Sequence, residues 1–298
     1  MGAIGGGYRG GVADIRDASS ADLDAVFELL AARSRAVFGV SEQERRFVEQ
    51  DFGFPGSDRF VADNGAVTGY ARLDSTRDLV LAAPDEQTGA SLLDRVEARA
   101  RQRGFEQIEC VAVPEDEALS SFLEHSGFVH TRDIVRMWRP LNGDLPEPRW
   151  PVGVVVRSYE PRDAETVHGL LDATYRGWDK DYVSRPLDEW IGFMTCHDEF
   201  DPSLWFLVER DRDLIACALH WTATDDRGWL KDIVVHERER GRGLGKALLH
   251  HAFRTYAARG AQTVGLKVDS TNPTGALKLY ESVGFDIDRR YGIWVKRL

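Results

Sequence analysis

Cysteine is scarce in this 298-residue chain, and the three present, Cys110, Cys196 and Cys217, lie far apart with no C-x-x-C pair. That spacing implies neither a disulfide framework nor a cysteine-based zinc site. Long apolar runs are missing too: none reaches the roughly 20 residues of a membrane-spanning helix. The glycine-rich start, Met1 to Gly11, has no apolar stretch of the secretory-signal kind. A cytoplasmic protein with no membrane partner and no metal is expected. Positive charge is in deficit, 38 Lys and Arg against 49 Asp and Glu for a formal net charge of −11. Such a field repels nucleic acid and anionic lipid, so an anionic ligand needs a local basic site.

Apolar residues make up 43% and charged residues 29%, which is globular composition, and the length suits two domains of ordinary size. An internal repeat supports that division. Ile15-Arg16 followed by Asp22, Val26, Leu29 and Leu30 matches Val156-Arg157 followed by Asp163, Val167, Leu170 and Leu171 at the same spacing. Leu92-Leu93 with Arg103-Gly104 answers Leu248-Leu249 with Arg259-Gly260, and Gly127-Phe128 answers Gly284-Phe285. Between the copies, Pro140 to Pro151 carries four prolines and a glycine, a composition that resists regular structure. Domains over residues 1–145 and 152–298 are expected.

In the second copy, Trp205 to Ala223 reads as two strands joined by a charged turn, and Trp229 to Val235 as a third. From Gly245 the period changes: Leu248, Ala252 and Tyr256, beside Leu249 and Phe253, share a helical face up to the stop at Arg259-Gly260. A strand over Thr263 to Val268, a helix over Asn272 to Val283 and a strand over Arg290 to Val295 complete the pattern.

The segment Arg240-Gly241-Arg242-Gly243-Leu244-Gly245-Lys246 lies between an apolar strand and an amphipathic helix. Glycines there let backbone approach a ligand, and the first amides of a helix lack intrahelical partners and carry the positive end of its dipole. A turn of this kind binds phosphate. Arg238, Arg240, Arg242 and Lys246 concentrate positive charge in an otherwise acidic chain. Two nucleotide motifs fail on spacing: a P-loop needs Ser or Thr after its lysine, where Ala247 stands, and a Rossmann turn needs repeated βαβ units rather than a meander.

Arg240-x-x-Gly243-x-Gly245 after a strand ending in Val235 resembles the acyl-CoA signature of the GNAT superfamily, and 272-NPTGALKLYESVGF-285 resembles its second conserved helix. The resemblance covers residues 154–296 well. It implies an α+β tandem GNAT fold, each half a mixed, mostly antiparallel central sheet flanked by helices, with splayed strands that bind acyl-CoA. It implies acetyl-CoA as co-substrate: backbone of Ile233, Val234 and Val235 pairs with the pantetheine arm, and the amides of Arg240 to Lys246 hold the pyrophosphate. Asn272, Ala276 and Leu279 then contact the cofactor, an amide such as that of Val235 serves as oxyanion donor, and Tyr280 protonates the departing thiolate. The alternative for Tyr280 is a core aromatic beside Ala276 and Val283.

Many members of the superfamily carry a glutamate base where this chain has Trp229, which cannot accept a proton. His220 and Asp232 are the candidates for that role, with a water relay as a third route. Strict strand alternation places Asp232 on the face opposite Trp229. Acceptor contacts in such a fold fall in Tyr175 to Glu189, where Trp178, Asp179 and Tyr182, with Trp229 nearby, suit an amine-bearing small molecule. In the first copy, Pro84 to Gly89 replaces the basic loop with two carboxylates, so a scaffold without catalysis is expected there.

Tandem copies with an active second half, Phe200-Asp201-Pro202 and His220-Trp221-Thr222 resemble the mycothiol synthase family, which acetylates the cysteinyl amine of a pseudodisaccharide. Trp229 and Ala223, the latter where a substrate-binding lysine is expected, depart from it. The leading expectation is an N-acetyltransferase acting on a primary amine by direct attack in a ternary complex, as a monomer or homodimer. A non-catalytic acyl-CoA sensor and an interaction protein are the alternatives.

Overall fold

The computed structural model describes residues 13–54, 56–196, 198–222 and 226–298, so Ala223 lies outside the described residues. The chain forms two compact units, one of Met1–His130 with Trp294–Leu298, the other of Thr131–Ile293.

The first unit runs β1 (Asp14–Asp17), α1 (Leu23–Phe38), α2 (Arg45–Gly53), β2 (Asp58–Asp63), β3 (Val67–Leu73), β4 (Asp78–Ala82), α3 (Glu86–Gln102), β5 (Gln107–Ala112) and α4 (Glu117–His125). Its strands lie in the order β1-β2-β3-β4-β5, antiparallel except for the parallel pair β4–β5. One sheet face packs Phe60, Leu73, Leu79 and Ile108 against Leu92 and Val96 of α3 and Leu123 of α4. The other packs Val61 and Tyr70 against Val26 of α1 and Val48 of α2. Alternating strand residues thus feed two helical layers.

The strand β6 (Val129–Pro140) enters the second unit at Thr131, and β7 (Val155–Ser158), α5 (Ala164–Arg176), α6 (Leu187–Thr195), β8 (Phe206–Arg210), β9 (Asp213–Thr222), β10 (Arg227–Val235), α7 (Leu244–Ala258), β11 (Thr263–Asp269), α8 (Ala276–Ser282) and β12 (Asp286–Arg297) follow. Its sheet order is β12-β6-β11-β10-β9-β8-β7, with β10–β11 parallel and β6–β11, β9–β10, β8–β9 and β7–β8 antiparallel. The turn between β8 and β9 has Asp211 at φ 52° and Arg212 at φ 72°, the paired left-handed conformation that matches strand twist in a two-residue hairpin. Leu230, Phe206 and Leu266 pack against Leu248 and Phe253 of α7. Cys217, Leu219, Trp221 and Val234 pack on the opposite face against Val167 and Leu171 of α5 and Trp190 and Met194 of α6.

The repeat read from the sequence has a common physical device. Arg16 holds Asp22 through two hydrogen bonds of 2.9 and 2.7 Å, and Arg157 holds Asp163 through two of 2.7 and 2.8 Å. Each aspartate also accepts the amide three residues earlier, Ser19 or Glu160, at 2.8 Å. The first strand of each copy, β1 or β7, is thereby tied to the start of the helix that follows it, where a carboxylate also complements the helix dipole.

Two expectations need correction. The helix expected from Asn272 begins at Ala276, because Asn272 Oδ1 accepts the Thr274 amide at 2.9 Å and Gly275 turns the chain at φ 79°. Side-chain-to-backbone bonding of this kind competes with the first helical turn. Asp232 faces the same side as Trp229. Leu230 pairs with His220 and Asp232 with Leu219, so Lys231 is the extra residue of a β-bulge that resets the alternation.

Candidate functional site

The parallel ladder between β10 and β11 ends at Leu230↔Leu266. Beyond it β11 continues along β6 and β10 along β9, so the two strands splay. The splay opens a cavity of about 660 Å³ walled by Leu230 to Val235 on one side and Leu266 to Asp269 on the other.

The start of α7 closes one end. Gly243 occupies the N-cap position at φ 83° and no side chain caps the helix. Gly241 is also left-handed, at φ 74°, a conformation that favours glycine. The first amides of α7 therefore remain available, beside Lys246 and the exposed Arg240, whose Nε donates to the Val235 carbonyl at 3.1 Å. Gly245 is small for a contact reason, since a Cβ there would meet Leu279 at 3.0 Å. Arg240, Gly241, Gly243, Leu244, Gly245 and Lys246 line the cavity, whereas Arg242 does not: it lies 3.4 Å from the buried carboxylate of Glu239, which Arg210 also approaches at 3.4 Å.

Asn272, Ala276, Leu279 and Tyr280 line the cavity from the α8 side, and Ile233, Val234 and Val235 from β10. Tyr280 is buried, with its ring edge-on to Phe285 at 5.8 Å. Burial, and secondarily the negative charge of Asp232, raise its phenol well above the ordinary value, so it stays a proton donor. Asp232 also lines the cavity; the Tyr175 hydroxyl donates to its Oδ1 at 2.5 Å, and Lys231 Nζ lies 3.7 Å from Oδ2.

Of the acceptor candidates, Trp178, Asp179 and Tyr182 line the cavity. Their segment is held by Asp172, which accepts from the Tyr182 hydroxyl at 2.8 Å and from Ser184 Oγ at 2.5 Å. Trp229 does not line it and packs edge-on to Trp138 at 5.6 Å. His220 is also outside. It is 1% exposed, packed between Phe206 and Tyr256 on the α7 side of the sheet, and burial, then His251, push its imidazole down to about 3. Neither ring nitrogen has a hydrogen-bond partner among the described residues, so its place in the core gives it no route to an amine in this cavity.

Sequence reasoning missed Tyr175 as a partner of Asp232, and Arg132, whose Nε lies 2.8 Å from Asp269 at the cavity wall. Tyr175 and Asp232 are 57 residues apart, and the bulge that brings the aspartate round leaves no mark in the hydrophobic pattern. No motif could have paired them.

In the first unit the corresponding features are closed. The β4–β5 ladder ends at Leu79↔Cys110. The Leu81 carbonyl is taken by the Arg33 guanidinium, which is itself paired with Asp116 at 2.6 Å. The N-terminus of α3 is capped by Asp85, which accepts the Thr88 amide at 2.7 Å.

Residues 164–285, which contribute the splayed β10 and β11, the glycine turn into the uncapped α7 and the short α8 with its buried tyrosine, match the model of the acetyltransferase (GNAT) family. The chain belongs to the GNAT acetyltransferases and is an N-acetyltransferase. Among curated proteins it is similar to the mycothiol acetyltransferase of Thermobispora bispora, 30% identical over 285 residues that cover 89% of this chain and 92% of that one. The mycothiol acetyltransferase of Streptomyces coelicolor is 30% identical over 287 residues, 88% of this chain and 87% of that one. Two solved structures share the fold over 95% of this chain. A GCN5-related N-acetyltransferase from Sphaerobacter thermophilus does so over 95% of its own length at TM-score 0.72 and 24% identity. A tandem GNAT protein from the clavulanic acid biosynthesis pathway does so over 98% of its length at TM-score 0.69 and 15% identity.

Proposed function

We propose that the second copy, residues 152–298, transfers an acetyl group from acetyl-CoA to the primary amine of a small molecule within one ternary complex. The first copy then serves as a non-catalytic scaffold. The observation that carries the reading is the uncapped start of α7 opening onto a cavity whose walls also hold Asp232 and Tyr280. The residues fit the co-substrate: amides of Arg240 to Lys246 and the Lys246 ammonium suit a diphosphate, the unpaired edge of Ile233 to Val235 suits an amide-bearing arm, and Asn272, Ala276 and Leu279 wall its far side. Bound there, acetyl-CoA supplies a thioester carbonyl for the amine to attack.

This chain's own groups move the protons. As the nitrogen–carbon bond forms and the carbon–sulfur bond breaks, Asp232 accepts the proton lost from the amine. The Tyr280 phenol delivers its proton to the leaving thiolate and is restored from solvent. Asp179 and the rings of Trp178 and Tyr182 orient the acceptor, since a carboxylate beside aromatic faces favours a cationic or amine-bearing group. General acid and base steps of this kind contribute roughly 10²- to 10⁴-fold in rate.

The likeness to mycothiol acetyltransferases at 30% identity over most of both chains favours, more narrowly, the cysteinyl amine of a pseudodisaccharide as acceptor. The test is incubation with acetyl-CoA and a panel containing that amine, aminoglycosides and free amino compounds, following thiol release. Turnover of one class identifies the acceptor. Tight CoA binding with no turnover on any amine would leave a sensor and defeat the proposal.

A further inference from the structure

Asp232 directly follows the bulge residue Lys231, where the ladder is locally disrupted. One of its carboxylate oxygens is fixed by the hydroxyl of Tyr175, on α5, at 2.5 Å. The Tyr175 ring is held in turn: it stacks on Tyr182 at 5.3 Å with 22° between planes, and Trp178 packs on it at 6.2 Å. Tyr182 is itself tied to Asp172. An aromatic stack tied to α5 through Tyr175 and Asp172 therefore places one hydroxyl on a single carboxylate oxygen.

Resting on the acetyl-transfer reading above, we infer that Tyr175 is a positioning residue: its hydroxyl fixes Asp232 Oδ1 and leaves Oδ2 as the atom that receives the amine's proton. The stack is the specificity-bearing part of the same device, because Trp178 and Tyr182, which orient the acceptor, also aim the hydroxyl. An acceptor that displaces Trp178 or Tyr182 from the stack loosens the base, so acceptor fit and base position are linked.

Arg132, Asp179, Glu239, Lys246, Lys267 and Asp269 line the same cavity as Asp232, and closer groups surround it. Lys231 lies beside it on β10, Cys217 behind it on β9, Tyr280 across from it on α8, and Tyr175 and Tyr182 above it. Each of the three tyrosines is pushed up, first by burial and further by a nearby carboxylate, Asp232 among the causes for all three. They remain neutral donors over the working range. A change at the Tyr175 hydroxyl therefore reaches Asp232 with no tyrosine titration superimposed.

The test is Tyr175→Phe, which keeps the stacked ring and removes the donor. The acid limb of kcat/KM moves to higher pH by about one unit, since a hydrogen bond to a charged group is lost from the ionised form. The acetyl-CoA dissociation constant stays within about twofold. A readout independent of turnover is the 13C titration of the Asp232 carboxyl, assigned with Asp232→Asn, which shifts in the same direction. Should Tyr175→Phe fold poorly, 3-fluorotyrosine at position 175 gives a more acidic donor and moves both titrations to lower pH. Superimposable profiles for wild type and variants would overturn the inference while leaving acetyl transfer intact. A wild-type protein that turns over no amine sinks the acetyl-transfer reading instead, and the carboxyl titration then decides the Tyr175–Asp232 coupling alone.

Discussion

The Asp85 carboxylate accepts the amide of Thr88 at 2.7 Å, so the start of α3 is satisfied by its own chain, and that bond is the first cause holding Asp85 below the usual carboxylate range. Gly243 stands at the corresponding point of α7 and offers nothing to its amides. An anion finds donors at one helix start and a negative charge at the other.

One CoA per chain is the expected stoichiometry by isothermal titration, and Gly243→Glu weakens binding by on the order of a hundredfold or more, through charge repulsion. The substitution has open space around its Cβ but a backbone at φ 83°, so the fold loses about 1–2 kcal/mol and persists. Two equivalent CoA sites, or unchanged affinity in Gly243→Glu, would contradict the assignment.

Tyr280→Phe keeps the edge contact with Phe285 and removes the hydroxyl. If Tyr280 supplies the leaving-group proton, kcat falls by roughly 10²- to 10⁴-fold while acetyl-CoA affinity is unchanged. Because burial and Asp232 raise this phenol, the alkaline limb of the wild-type profile lies above pH 10, the ordinary tyrosine value. Stopped-flow measurement of thiol release separates this from a packing effect, which would alter melting temperature and leave kcat near wild type.

Much of this arrangement was legible in residue order because it depends on local chemistry. The glycine turn, the amphipathic α7 and the repeat of Arg157 with Asp163 are each short-range patterns with one physical solution. Asp232 was misplaced because its face depends on a bulge at Lys231, which hydrophobic alternation cannot register. His220 looked available for the opposite reason: its intrinsic acidity suits a base, but which sheet face it occupies is set by pairing with Leu230 across the hairpin. The helix at Asn272 was read too long because its side chain closes a turn before the helix begins.

His220 makes stability depend on pH in a defined direction. Its folded value is depressed to about 3, whereas an unfolded histidine titrates near 6.5. Between those values the unfolded chain binds the extra proton, so stability is full above about pH 6.5 and falls as pH decreases towards 3. The slope approaches ~1.4 kcal/mol per pH unit for this group. His250 and His251, also lowered chiefly by burial, add to it. Urea melts between pH 7 and 5 should therefore flatten in His220→Phe, while the kcat/KM profile keeps its shape. A lost acid limb in that variant would reinstate His220 as the base.

Gly228 provides a test of how the start of β10 is fixed. A Cβ there would lie 2.6 Å from the ring of Tyr256, closer than any ordinary contact. That ring has nowhere to retreat without cost: its hydroxyl donates to the Trp221 carbonyl at 2.8 Å and accepts the Trp229 amide at 3.2 Å, and the residue is 3% exposed within the α7 core. Gly228→Ala must move either the strand or the ring, and overpacking of this kind costs about 1–3 kcal/mol. At about 2–4 °C per kcal/mol for a unit of this size, calorimetry resolves it. The double variant Gly228→Ala with Tyr256→Leu discriminates the cause. If the ring is the obstruction, the two substitutions together cost less than the sum of each alone. Strict additivity would mean that the strand, rather than Tyr256, resists the added methyl group.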